Sequence, residues 1–172
     1  MSDISKIIQK VREDGDSALL DYTHLYDGVD FPDRVIQVTD EEMEVARNSL
    51  TSKVIDALIL SAKRIKQFHE LQLPQTISLL KNESQEISYV PSPLRKVGLY
   101  VPGGRGAYPS TVLMNAIPAK VAGVKEIVLC TPPSADAKVP DSVLVAASIA
   151  GVDKIFSVGG AQSIAAMIVM CA

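Results

Sequence analysis

Residues 97–166 alternate between short apolar runs and helical stretches, and this alternation constrains the fold more than any other feature. Three compact runs, Val97–Val101, Glu126–Cys130 and Lys154–Val158, are each followed by a turn and a helical segment. Strands that alternate with helices of this length form βαβ units, whose strands are parallel and whose crossovers are right-handed. The sequence therefore predicts an α/β fold with a parallel sheet in its second half.

Two glycine-rich turns follow the first and third of these runs, at residues 102–106 and at Gly159-Gly160. In an open parallel sheet, ligands bind beyond the carboxyl ends of the strands, where such turns lie. Glycine lets the backbone approach a ligand closely, and the next helix offers free N–H groups to an anion. The turns alone leave a nucleotide-type ligand and mere tight packing both open, because the sequence contains neither GxGxxG after the first strand nor GxxxxGK[ST].

The first half of the chain carries mainly helical periodicity. Apolar residues recur at helical spacing over residues 4–25 and again over residues 52–71. Asp16 is expected to cap the second helix, and the segment from Thr39 to Glu42 has the spacing of a capping box. These patterns predict a helix-rich amino-terminal region.

Short candidate strands and a proline-containing segment mark the end of that region. Val35–Val38 and Ile87–Val90 have the composition of short strands, and Pro91-Ser92-Pro93 interrupts the chain after the second of them. We therefore divide the chain into a helix-rich region, residues 1–96, and an α/β region, residues 97–172.

Charge, cysteine and histidine content exclude several classes of protein. The formal net charge of -3 and the absence of a basic stripe argue against nucleic-acid binding. The apolar stretches are too short to span a membrane, and the polar start lacks a secretory signal, so we expect a cytoplasmic protein. Cys130 is expected to be a small buried hydrophobe, and Cys171 is too distant in sequence to suggest a bridge. His24 and His69 are expected to be solvated helix residues, because neither has a second ligand at metal-binding spacing.

Three segments of the α/β region closely resemble histidinol dehydrogenase. They are Val97–Arg105 continuing through Tyr108–Val124, then Val128–Pro133, and finally Val158–Ala166. The segments occur in the order of that family and at about its spacing. The helical first half is compatible with the amino-terminal region of the family.

The resemblance implies an enzyme of histidine biosynthesis. It would oxidise L-histidinol to L-histidine through the aldehyde, in two NAD-dependent steps, as a homodimer with incomplete Rossmann-like domains. It also implies one zinc ion that holds the substrate and a Glu/His pair that handles protons. By position in the matching motifs, Tyr100 and Gln162 are the implied NAD contacts, since a tyrosine ring can pack on the cofactor and an amide can both donate and accept.

The pattern of the family breaks after Met167, where the sequence reads Ile168–Ala172. We therefore expect the nucleotide-side portion of the enzyme, residues 97–172 being an incomplete NAD-side domain. The implied zinc ligands and catalytic residues match no position of this sequence, so we assign none and expect an inactive, poorly soluble chain. A non-catalytic remnant, a dimerisation or binding partner of a full-length homologue, and a relative that oxidises another polar alcohol remain alternatives.

Overall fold

The structure, a computed structural model, describes residues 3–31, 36–103 and 106–171. Helices α1 to α4 come first along the chain, and two strands, β1 and β2, follow them. From β3 onward strands and helices alternate. The bounds are α1 Asp3–Asp14, α2 Asp16–Asp27, α3 Asp40–Ser49, α4 Ser52–Glu70, β1 Ile77–Lys81, β2 Glu86–Tyr89, β3 Lys96–Tyr100, α5 Pro109–Val121, β4 Glu126–Thr131, α6 Asp141–Ala150, β5 Lys154–Ser157 and α7 Gly160–Cys171.

The three later strands form a parallel sheet in the order β3-β4-β5. Tyr100 pairs with Cys130, and Cys130 pairs with Phe156, so the strands end at nearly the same level. The predicted α/β fold, with a helical first half followed by a parallel sheet, is confirmed. Within the described ranges, no helix is long and apolar enough to cross a bilayer.

A segment from the first half extends this sheet beyond β5. Gln37 forms an antiparallel bridge with Phe156. The Val38 N–H donates to the Ile155 carbonyl at 2.9 Å, and the Ser157 N–H donates to the Ile36 carbonyl at 2.8 Å. The segment predicted as a strand over Val35–Val38 therefore pairs at the edge of the sheet. Val35 itself lies outside the described residues.

Helices cover both faces of the sheet because strand side chains alternate between them. Leu129 and Ile155 pack with residues of α3 to α6 in one apolar cluster. Cys130 and Val158 pack with residues of α1, α2 and α7 in a second cluster. Each cluster draws on both halves of the chain, and the division between residues 96 and 97 stays a prediction.

Helix starts were predicted with mixed success. Thr39 and Glu42 form the expected capping box, in which the Glu42 N–H donates to the Thr39 hydroxyl and the Thr39 N–H donates to the Glu42 carboxylate. The Asp16 cap was wrong: Gly15 precedes the helix, Asp16 is its first residue, and no side chain caps it. Pro109 begins α5, because the missing N–H of proline costs nothing in a first helical turn.

Strands β1 and β2 form an antiparallel hairpin. Every residue of both strands is exposed, including Ile77, Leu79, Ile87 and Tyr89. The sequence predicts β2 but not β1, because the run Ile77–Lys81 does not alternate between apolar and polar residues.

Candidate functional site

An open cavity of about 800 Å³ lies at the carboxyl edge of the parallel sheet. Its walls include Tyr100 at the end of β3, Thr131 at the end of β4 and Gly160 at the start of α7. Asp27, the last residue of α2, and Pro140, just before α6, also line it. The cavity occupies the position that sheet topology predicts, and its size falls in the range of small-molecule and cofactor sites.

Tyr100 connects the two turns that border this cavity. Its ring is partly buried at the end of β3, and its hydroxyl accepts a long hydrogen bond of 3.4 Å from the Gly160 N–H. This distance exceeds the usual N–H···O range, which ends at about 3.2 Å, so the bond is weak and a better partner could replace it. The side chain predicted to contact a cofactor is thus on the wall of the cavity, next to the first turn of α7.

Gln162 lies behind Gly160 and does not itself line the cavity. The side chain is fully buried, and its amide oxygen contacts Gly160. Among the described residues, neither its Oε1 nor its Nε2 has a hydrogen-bond partner. An unpaired buried amide costs on the order of 1–3 kcal/mol, so the side chain is held here without the hydrogen bonds that would offset its burial.

The Ser157 hydroxyl is a third buried polar group without a partner in the described part of the chain. Ser157 ends β5 and Gln162 is in the first turn of α7, so the unpaired atoms flank the Gly159-Gly160 turn on both sides. Unsatisfied buried groups are rare in folded proteins. Their concentration at one turn beside a cavity favours a polar ligand at this end of the sheet.

Pro132 is wedged between the two glycine-rich turns. A Cβ added to Gly103 would lie 2.5 Å from Pro132 Cγ, and a Cβ added to Gly159 would lie 2.5 Å from Pro132 Cβ. Real carbon atoms do not approach so closely, so both positions require glycine as long as the proline is present. The turns therefore keep backbone at the surface of the cavity. Gly104 and Arg105 of the first turn lie outside the described residues.

The electrostatic setting combines helix amino-termini with one carboxylate. Helices α6 and α7 both begin at the cavity, where their first N–H groups carry partial positive charge. Desolvation raises the pKa of the Asp27 carboxyl, which also lines the cavity, above its ordinary value. The cavity therefore offers both N–H donors and a carboxylate acceptor.

Cys130 does not contribute a reactive group. It is buried in the middle strand, and burial raises the pKa of its thiol to about 12. The thiol therefore stays protonated at neutral pH, which is unfavourable for a nucleophile or a metal ligand. Its interpretation as a small buried hydrophobe is confirmed.

The residues that the structure describes do not fit a zinc site. In those ranges, no group of three or more His, Cys, Asp or Glu side chains is close enough to hold a metal ion. The exposed His24 ring pairs with Asp30 at 2.7 Å, and this single pair falls short of the usual number of zinc ligands. We accordingly assign no zinc ligand and no step that depends on zinc.

Two residues at the cavity were missed by the sequence analysis. The contacts of Pro132 with both glycine turns arise only in the folded sheet. Asp27 belongs to the helical first half, about seventy residues before the first glycine turn, and only the docking of α2 brings it to the cavity. No local pattern marks either residue.

Comparison with known proteins gives a consistent result over almost the whole chain. The family model described as histidinol dehydrogenase matches residues 1–169. A histidinol dehydrogenase of Methanopyrus kandleri is 44% identical over 169 residues, which cover 97% of this chain and 39% of that protein. One of Clostridium acetobutylicum is 46% identical over 161 residues, covering 94% of this chain and 37% of that protein.

A solved structure agrees with the sequence matches. The crystal structure of histidinol dehydrogenase from Elizabethkingia anophelis superposes with a TM-score of 0.88 at 32% identity, covering 95% of this chain and 37% of that one. The chain thus spans well under half the length of the relatives that it matches.

Proposed function

Because this chain belongs to the histidinol dehydrogenase family, we propose that it supplies the NAD-binding side of an enzyme that oxidises L-histidinol to L-histidine. The observation that carries the proposal is the cavity at the carboxyl edge of the sheet, with Tyr100 on its wall and the unpaired Gln162 amide behind it. Homodimerisation, which the resemblance implies, and the cytoplasmic location expected from the sequence belong to the same proposal.

The residues of this chain would bind and orient the cofactor. The Tyr100 ring offers an apolar face, and its hydroxyl is already held by the Gly160 N–H. Gln162 is buried behind Gly160, so its amide would reach the cofactor once the Gly159-Gly160 turn moves aside, and it would then donate one hydrogen bond and accept another. The glycine turns would let the cofactor approach the backbone, and the first N–H groups of α6 and α7 would face its pyrophosphate.

Catalysis would need more than this chain provides. NAD, when bound, would supply the hydride acceptor for both oxidations. A base would take the proton of each oxidation, and water would add to the aldehyde between them. Hydride transfer also needs the alcohol held beside the cofactor in a fixed geometry. We propose that the substrate-holding zinc site and the proton-handling pair belong to the larger share of the relatives that this chain does not cover.

Calorimetric titration of the purified chain with NAD tests the binding proposal. We expect saturable binding, weakened about fivefold in Tyr100→Phe because a net hydrogen bond contributes about 1 kcal/mol. Tyr89→Phe is the matched control, since Tyr89 lies on the exposed hairpin. Absence of saturable NAD binding, or equal effects of the two variants, would contradict the proposal.

Mixing the same chain with zinc, L-histidinol and NAD tests where catalysis resides. We expect no NADH above background, because this chain is proposed to bind the cofactor without activating the alcohol. Steady turnover would show that the catalytic groups lie within these 172 residues and would overturn that part of the proposal.

A second candidate role is that of a binding partner for a full-length homologue. The exposed hairpin favours it, because an isolated two-stranded sheet is marginal in water and this one exposes Ile77, Leu79, Ile87 and Tyr89. Co-purification of the chain with a tagged, intact family member would support this role. Loss of that association in Leu79→Ser, but not in the surface variant Lys53→Ser on α4, would locate it at the hairpin.

A further inference from the structure

Asp27 faces the same cavity as Tyr100 and Gly160, although it comes from a different part of the chain. It is the last residue of α2, and its neighbour Tyr26 also lines the cavity. Tyr100 and Gly160 reach the cavity from the sheet and from α7, so the carboxylate extends the polar lining to the wall formed by α2.

The end of α2 fixes the backbone that carries Asp27. The Gly28 N–H closes the helix by donating to the His24 carbonyl at 3.1 Å. The flanking residues Thr23 and Val29 are buried, and the rings of Tyr22 and Tyr26 stack with their centroids 5.7 Å apart. With the backbone held on both sides of Asp27, binding a ligand needs to order only this short side chain.

The carboxylate lacks a partner of its own in the described part of the chain, where no hydrogen bond or ion pair engages it. Desolvation raises its pKa although the residue is exposed overall. A carboxylate accepts hydrogen bonds and donates none when ionised. The group that satisfies it must therefore present O–H or N–H donors and must not itself be an anion.

We propose that Asp27 accepts hydrogen bonds from a ribose hydroxyl of the dinucleotide and so makes the site select NAD over a 2′-phosphorylated dinucleotide. This inference rests on the proposed NAD-binding function and adds a determinant of specificity to it. An acidic side chain performs this task in many dinucleotide sites, where it follows the first glycine turn. Here the carboxylate comes from an earlier helix, so no sequence motif near the glycine turns identifies it.

Charge decides the selectivity. A ribose 2′-hydroxyl donates to the carboxylate in a charge-assisted bond, which is stronger than a neutral one. A 2′-phosphate replaces that donor with negative charge and repels the carboxylate. Removing the charge of Asp27 should therefore weaken NAD binding and leave NADP binding unchanged or improved.

Calorimetric titrations with NAD and NADP on wild type, Asp27→Asn and Asp27→Ser test the inference. Asp56→Asn is the control, because Asp56 is an exposed residue of α4 and the charge change is the same. We expect wild type and Asp56→Asn to prefer NAD, and both Asp27 variants to bind NAD about tenfold more weakly. The NAD-to-NADP preference should fall by at least that factor, an effect that a merely structural role would not produce.

Each result separates this inference from the function on which it rests. If wild type binds NAD and the Asp27 variants keep both affinity and preference, the inference is wrong and the proposed function stands. If the variants bind both dinucleotides equally weakly, Asp27 has a structural role and the inference is also wrong. If wild type binds neither dinucleotide, the proposed function fails and the inference fails with it. Circular dichroism identifies any variant that does not fold, and the other substitution then supplies the comparison.

Discussion

Replacing Gly103 by alanine should destabilise the chain, because the new Cβ would overlap Pro132. The new Cβ would lie 2.5 Å from Pro132 Cγ and 3.3 Å from Pro132 Cδ. Carbon atoms prefer about 3.5–4.0 Å, so the turn and the proline ring must separate by about 1 Å. Overpacking of this kind costs about 1–3 kcal/mol, a large part of the stability of an ordinary domain.

Pro132→Ala provides a selective rescue, because alanine lacks Cγ and Cδ but keeps Cβ. The 2.5 Å clash with a Cβ at position 103 involves the ring atom Cγ and should disappear in the double variant, which leaves a 3.3 Å approach to the Pro132 carbonyl oxygen. The clash with a Cβ at position 159 involves Pro132 Cβ and should remain. A double-mutant cycle should therefore give about 1–2 kcal/mol of coupling between positions 103 and 132 and much less between 159 and 132.

Urea unfolding followed by circular dichroism measures these effects, since the chain has no tryptophan to report by fluorescence. The single variants, the two doubles and wild type should unfold with similar dependence on urea and different midpoints. A Gly103→Ala variant as stable as wild type would refute the reasoning. Equal rescue at positions 103 and 159 would refute it as well.

Three further predictions concern buried or paired side chains. Gln162→Leu removes two unpaired buried atoms, so the free energy of unfolding should rise by about 1–2 kcal/mol. Calorimetry of the same variant should show weaker NAD binding. A variant less stable than wild type would contradict the first expectation. Burial alone would raise the pKa of Asp153, but the Lys120 ammonium and the Ile127 N–H donate to its carboxylate and hold the pKa below the ordinary value of 3.8. Because the folded-state pKa is the lower one, the stabilisation is present above about pH 4 and is lost in more acid solution. At neutral pH, the urea midpoint of wild type should therefore be higher than that of Asp153→Asn. This difference in midpoint should shrink as the pH falls below about 4. A difference that does not change with pH would argue against the ion pair. Cys130, whose burial raises its pKa to about 12, should react with iodoacetamide at mildly alkaline pH only after urea unfolds the chain, as mass spectrometry of the tryptic peptide can show.

The sequence predicted the parallel sheet because its signals are local and repeated. Each apolar run from Val97 onward is long enough for a strand, and a glycine or proline marks every turn. The capping box at Thr39 was predicted for the same reason, since both of its hydrogen bonds lie within four residues. The cap expected at Asp16 failed because a helix can also start with its first N–H groups in solvent.

The candidate site was only partly predictable from sequence. Strand order places the Gly159-Gly160 turn at the ligand edge, the family resemblance singles out Tyr100, and the structure joins Tyr100 to Gly160 by a hydrogen bond. The wedge at Pro132 and the carboxylate of Asp27 depend on contacts between segments far apart in the chain. Such contacts depend on how the helices and turns dock, which periodicity and turn chemistry do not specify.

The bridge between Gln37 and Phe156 has a consequence for folding during synthesis. The two residues are roughly 120 positions apart, and ribosomes add about 5–20 residues per second. The segment around Gln37 therefore waits about 6–24 s before its partner strand has been made. During that time the apolar side chains of α1 and α2 that later pack against β4 and α7 remain uncovered. Chaperone capture of the nascent chain should consequently peak before residue 157 leaves the ribosome and decline once β5 can close the sheet.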